Sequence, residues 1–135
     1  MFMNSVAAKT NIVFAIIINS VLFSLIHLGN PNVTILGMLN IILVAVFFSI
    51  YAIWRGNIWG AGAIHSAWNF TLSCVIGINI SGISTPSIFT SDLSGSKLLT
   101  GGGFGFEGGV VLTILLLLLI IFLSYRMISQ KKVVK

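Results

Sequence analysis

Apolar segments of membrane length decide what this chain can fold into. The clearest of them, TILLLLLIIFL at 113–123, lies in a stretch over 110–125 that contains no charged residue. A helix needs about 20 predominantly apolar residues to cross the hydrocarbon core of a bilayer. Similar segments cover about 11–27, 33–54 and 58–78. The sequence therefore predicts one all-α integral membrane domain over 1–135, a bundle of about four transmembrane helices.

The composition excludes the main alternatives to a membrane protein. Only 7% of the residues are charged and 57% are hydrophobic, whereas about a quarter of the residues of soluble domains are charged. A disordered segment would need low hydrophobicity and high charge. The net charge of +5 does not indicate a nucleic-acid partner, because much of it lies where a membrane anchor would place it. The basic residues of the last ten positions are Arg126, Lys131, Lys132 and Lys135.

The sequence also indicates where the apolar segments end. Gly, Asn and Pro at 29–32 form a turn signal, and Pro31 cannot continue a helix. A short polar hairpin at 55–57 separates the second and third segments. The stretch at 81–109 is rich in Gly, Ser and Thr and is predicted to be an extramembrane or re-entrant loop. Its glycine-rich end is expected to be flexible, with Glu107 near the membrane interface.

The basic residues also predict an orientation. Four crossings place both termini on one side of the membrane, together with Lys9, Arg55 and the basic tail. Only Lys97 falls on the other side. Because Lys and Arg concentrate in cytoplasmic segments, we expect both termini to be cytoplasmic, in a bacterial plasma membrane.

Three polar side chains within the apolar segments are the candidate site residues: His27, His65 and Asn69. Such groups are costly inside a membrane and are therefore functional candidates. His65 and Asn69 are four residues apart and share one helix face. The alternative is a purely structural role, in which His27 caps its helix and Asn69 makes a hydrogen bond between packed helices. The sequence does not decide whether the two histidines lie at the same depth in the membrane. His27 ends its helix near one side of the membrane, whereas His65 lies roughly 10 Å from the opposite side.

The spacing of these residues resembles a known family. Phe23-Ser-Leu-Ile-His27 and His65-Ser-Ala-Trp-Asn69 look like the FxxxH and HxxxN motifs of the CAAX-protease and bacteriocin-processing (CPBP, or Abi) family of intramembrane endopeptidases. The segment LTGGGFGFEGG at 99–109 is similar to the loop before the last helix in many bacterial members. The resemblance covers nearly the whole chain and implies a peptidase that acts on peptide or protein substrates.

The resemblance also implies catalytic roles. A glutamate of the family's first motif, Glu-Glu-x-x-x-Arg, would activate a water. His65 and Asn69 would stabilise the oxyanion, and His27 would orient the water. That first motif is absent from the sequence. We therefore interpret the chain as the C-terminal portion of such a protease, with impaired activity, since a general base contributes about 10²–10⁴ in rate. The missing role is not transferred to Glu107, the one glutamate present.

Three further hypotheses are compatible with the sequence. Two histidines and a glutamate would match the ligands of catalytic zinc, so a divalent metal such as zinc is a possible cofactor, although no carboxylate is near in sequence. A non-catalytic membrane protein, such as a bacteriocin self-immunity protein, fits the missing motif. A haem-binding subunit with His27 and His65 as axial ligands is a third class.

Overall fold

The computed structural model describes residues 2–133, and it describes side chains for residues 3–130. The tail lysines at 131, 132 and 135, which enter the charge argument, lie outside the described side chains. Throughout the described residues the regular structure is helical, apart from one isolated bridge between Ile80 and Ile83. The α-helices are α1 (Phe2–Lys9), α2 (Ile12–Leu25), α3 (Ile35–Arg55), α4 (Trp59–Asn69), α5 (Lys97–Thr100) and α6 (Val110–Val133).

Short helical segments of other types join these helices. A 3-10 turn, Ile26–Gly29, continues α2, and a π-helix, Phe70–Ile76, continues α4 without a break. Two further 3-10 turns, Gly102–Phe104 and Phe106–Gly108, precede α6. The residues between Ile76 and α6 are therefore partly helical.

Three of the described helices are long and apolar enough to cross a membrane by length and composition. They are Ile12–Gly29, Ile35–Arg55 and Val110–Gln130. The all-α membrane bundle predicted from the sequence is confirmed. The fourth predicted crossing, 58–78, corresponds to α4 and its π-helical continuation, and it is not among these three.

Helix α3 occupies the centre of the bundle and contacts α2, α4 and α6. Phe47 of α3 packs against a stripe of buried leucines on α6. These leucines recur at helical spacing, so they share one face; they are Leu112, Leu116 and Leu123. The opposite face of α6 exposes large apolar side chains, as expected for a surface that meets lipid.

Both described ends of the chain lie at the same end of the bundle. Near the C-terminus of α3, the Trp54 indole donates to Gln130 Oε1 of α6 over 2.9 Å. Met3 and Asn4 of α1 line a cavity together with Gly56 of the hairpin. The first turns of α3 lie at the other end, where they contact the segment that precedes α6.

A single buried amide ties that segment to α3. The Asn40 side chain is fully buried, and its Nδ2 donates to the carbonyl oxygens of Glu107 (2.8 Å) and Gly109 (2.9 Å). Its Oδ1 accepts from the Thr113 hydroxyl over 2.7 Å. Both the nitrogen and the oxygen of the amide are thus hydrogen-bonded. They hold the chain against α3 just before α6 begins.

Glycines let the backbone pack closely in the same segment. Gly105 has φ +86°, and a Cβ added there would overlap the carbonyl oxygen of Asn79. Gly82 has φ +80°, and its N–H donates to the Phe104 carbonyl oxygen over 2.9 Å. Phe104 itself is fully buried against α3 at Gly37. The expected flexible loop is therefore a packed structure, and its glycines provide close approach.

Substituting Gly105 tests this packing. We expect Gly105→Ala to lower the free energy of unfolding by at least about 1–3 kcal/mol, because φ +86° and ψ -174° define a backbone region that essentially only glycine adopts. Gly29→Ala is the matched control, because a Cβ at Gly29 has no neighbour within 4 Å. Thermal unfolding in detergent micelles measures both, and equal stabilities would contradict the packing.

Substituting Asn40 tests whether its side-chain amide holds the segment before α6 against α3. Asn40→Ala leaves two carbonyl oxygens and the Thr113 hydroxyl without their partner, and we expect a loss of about 1–3 kcal/mol. Asn4→Ala, at an exposed position of α1, should leave the unfolding temperature unchanged. Protease cleavage within 81–109 should also accelerate only in Asn40→Ala, and an unaltered cleavage rate would count against the tie.

Candidate active site

One cavity brings the three predicted site residues together. It has a volume of about 140 Å³ and is lined by His27, His65 and Asn69. Its other polar lining residues are Asn30, Ser81 and Glu107. The histidines, which the sequence placed at uncertain relative depth, therefore face the same space. The cavity lies at the end of the bundle away from both described chain ends.

His27 lies in the 3-10 turn that ends α2, and its ring is fixed by its own helix. Nδ1 is 2.9 Å from the Phe23 carbonyl oxygen. A carbonyl oxygen can only accept, so Nδ1 carries the hydrogen. In the neutral ring, Nε2 is then left with a free lone pair. His27 can therefore accept a hydrogen bond from a water at Nε2.

His65 is held by two aromatic rings from neighbouring helices. It stacks on Phe48 of α3, with centroids 5.5 Å apart and an interplanar angle of 29°. It meets Phe23 of α2 edge-on at 6.0 Å. Phe23 also contacts His27, with centroids 5.0 Å apart. The phenylalanine of the first sequence motif thus packs against both imidazoles.

Asn69 is the last residue of α4 before the π-helix. π-helical turns are rare and frequently mark functional sites. Backbone N–H groups of the following loop bind carbonyl oxygens of this turn: Ile88 donates to Cys74 over 2.9 Å, and Phe89 donates to Val75 over 3.0 Å.

Among the described residues, none forms a hydrogen bond with the side chain of Asn69 or the ring nitrogens of His65. Both therefore have donors available to the cavity.

Glu107 also lines this cavity, although the sequence favoured a position in the loop rather than at the site. Its side chain is only 9% exposed. Oε1 accepts from the Trp68 indole N–H over 3.1 Å, and Oε2 accepts from the Ser81 hydroxyl. The segment folds inward because Asn40 binds its backbone and its glycines permit close packing. The density of glycines around the one glutamate was the available sequence signal.

A second, apolar cavity of about 100 Å³ adjoins the polar one. Three polar residues, His65, Asn69 and Glu107, line both spaces. The remaining walls of the apolar cavity are side chains of α3, α4 and α6, among them Phe47 and Leu116. The polar groups therefore stand at a boundary between a polar and an apolar space.

The described residues do not by themselves fit the expected zinc ligands. They contain no group of three His, Cys, Asp or Glu side chains placed to hold a metal ion. For the haem alternative, the Phe23 ring is the obstacle, because it contacts both imidazoles where a macrocycle would have to lie.

Comparison with known proteins gives one match. A family model described as type II CAAX prenyl endopeptidase Rce1-like matches residues 1–71, more than half of the 135-residue chain. The matched part contains both motifs, with Phe23, His27, His65 and Asn69, but not Glu107. No curated protein and no solved structure matches the chain. The three apolar helices and the two motifs on one cavity agree with the family match, and this integral membrane protein belongs to the type II CAAX prenyl endopeptidase Rce1-like family.

Proposed function

We propose that this chain acts as an intramembrane endopeptidase that hydrolyses a peptide bond with an activated water. The observation that carries the proposal is the shared cavity of His27, His65 and Asn69. These residues come from two helices within the segment that matches the family. A cavity of about 140 Å³ has room for a carbonyl group and for water, whose share of liquid volume is about 30 Å³.

The arrangement supports a division of labour. A peptide carbonyl oxygen between His65 and Asn69 would meet an imidazole N–H and an amide N–H that are not otherwise bonded. Preorganised donors of this kind stabilise the negative charge that develops on the oxygen as water attacks. His27 would hold the attacking water through Nε2, since its Nδ1 hydrogen is bound to the Phe23 carbonyl. The apolar cavity would accommodate an apolar part of the substrate.

A non-catalytic role, such as bacteriocin self-immunity, is the second candidate. Without any carboxylate acting as base, peptide hydrolysis would be slower by about 10²–10⁴. The two candidates differ in a simple way, because only the peptidase requires His65 and Asn69 for its activity.

For the orientation, we place both termini in the cytoplasm of a bacterial cell. The shared end of the bundle supports this, because α1, the hairpin and the C-terminal part of α6 meet there. Lys9, Arg55 and Arg126 lie on these segments, whereas Lys97 lies in the segment before α6. The candidate site would then lie toward the external face.

The peptidase proposal predicts the effect of removing an oxyanion donor. His65→Ala and Asn69→Ala should each lower kcat/KM by about 10²–10³, while Asn4→Ala should match the parent chain. The measurement uses proteoliposomes and an internally quenched peptide, in a farnesylated C-terminal CAAX form and an unmodified form. If the parent cleaves neither peptide, the non-catalytic candidate replaces the peptidase. If His65→Ala cleaves as fast as the parent, the oxyanion role of His65 is wrong.

The orientation is tested by labelling single cysteines. Cys74 is the only cysteine, so Cys74→Ser provides the background. We expect Ser94→Cys to react with a membrane-impermeant maleimide in intact cells, because its segment faces outward. Asn57→Cys, in the hairpin, should react only after permeabilisation. The reverse pattern would invert the proposed orientation.

A further inference from the structure

Glu107 is a buried acid. Among the described residues, no Lys or Arg side chain forms an ion pair with it. Its carboxylate is held by two neutral donors, the Trp68 indole and the Ser81 hydroxyl. Burying a charge is costly unless it is paired, and buried ionisable groups that line a cleft are functional candidates for that reason. A glutamate kept in this position therefore requires an explanation beyond packing.

Anchoring the loop is not that explanation, because the anchor uses a different part of the residue. Asn40 binds the backbone carbonyl oxygen of Glu107, and the second bond from Asn40 goes to Gly109. Any residue at position 107 would offer the same carbonyl. A glutamine there would also keep an acceptor for Trp68. The negative charge is the one property that the anchor does not use.

We propose that Glu107 is the catalytic carboxylate of the cavity and accepts the proton of the attacking water. Each carboxylate oxygen receives one described hydrogen bond, so each keeps a lone pair. Glu107 is the one acidic residue in the lining that also holds His27, His65 and Asn69. This inference rests on the proposed peptidase function and supplies the base that the two motifs do not contain.

The proton balance closes within these residues. An O–H bond of the water breaks, its proton passes to the Glu107 carboxylate, and the water oxygen bonds to the peptide carbonyl carbon. The carbonyl π electrons move to the oxygen, which His65 and Asn69 stabilise. When the C–N bond breaks, the proton on Glu107 passes to the leaving amine nitrogen. The products are a carboxylic acid and an amine, and Glu107 is again ionised.

The test compares two isosteric substitutions of the chain's two acidic residues, Glu107 and Asp92. Glu107→Gln should lower kcat/KM in the proteoliposome assay by about 10²–10⁴, with an unfolding temperature equal to that of the parent. Glu107→Asp should recover part of the loss. Asp92→Asn removes the same charge from an exposed position outside this cavity and should retain full activity.

The outcomes separate this inference from the proposed function. Cleavage by the parent together with equal cleavage by Glu107→Gln overturns the role of Glu107 and leaves the peptidase standing. No cleavage by the parent overturns both. Loss of activity in Asp92→Asn as well as in Glu107→Gln would indicate a general charge effect and would also overturn the inference.

Discussion

The site depends on the buried amide of Asn40. Within a bilayer, backbone groups without a partner in the protein cost several kcal/mol, so irregular backbone is tolerated only where the protein satisfies it. The turns before α6 are irregular, and two of their carbonyl oxygens bind the Asn40 amide. Thr113 completes the amide's bonding. One side chain of α3 thereby permits non-helical chain to pack against the bundle and brings Glu107 inward.

The aromatic packing around the histidines has a comparable structural consequence. Phe23 contacts both imidazoles, and Phe48 stacks on one of them. These contacts come from α2 and α3, so the orientation of His65 on α4 depends on all three helices. The FxxxH spacing therefore does two things in this fold. It lets Phe23 present its carbonyl to the His27 ring, and it places the Phe23 ring beside His65.

Local patterns in the sequence predicted the helices and the helix faces that carry the two motifs. Apolar runs of membrane length locate α2, α3 and α6, and the four-residue spacing puts His65 and Asn69 on one side of α4. That His27 reaches the same cavity follows from how α2 packs on α3, which no local pattern contains. The inward position of Glu107 was missed for the same reason, since it depends on Asn40, far away in the chain. A run of glycines indicates flexibility and close packing equally well, and only its tertiary contacts decide between them.

The boundary between the two cavities bears on how a peptide bond could be hydrolysed within a membrane protein. Water and a developing charge require a polar space, whereas a substrate drawn from the bilayer brings apolar groups that favour an apolar one. His65, Asn69 and Glu107 line both spaces, so a scissile bond held at the boundary would meet all three. Apolar walls on one side also strengthen the electrostatic effect of these groups, because a low dielectric reduces screening. Under the proposed function, the position of the three residues matters as much as their chemistry.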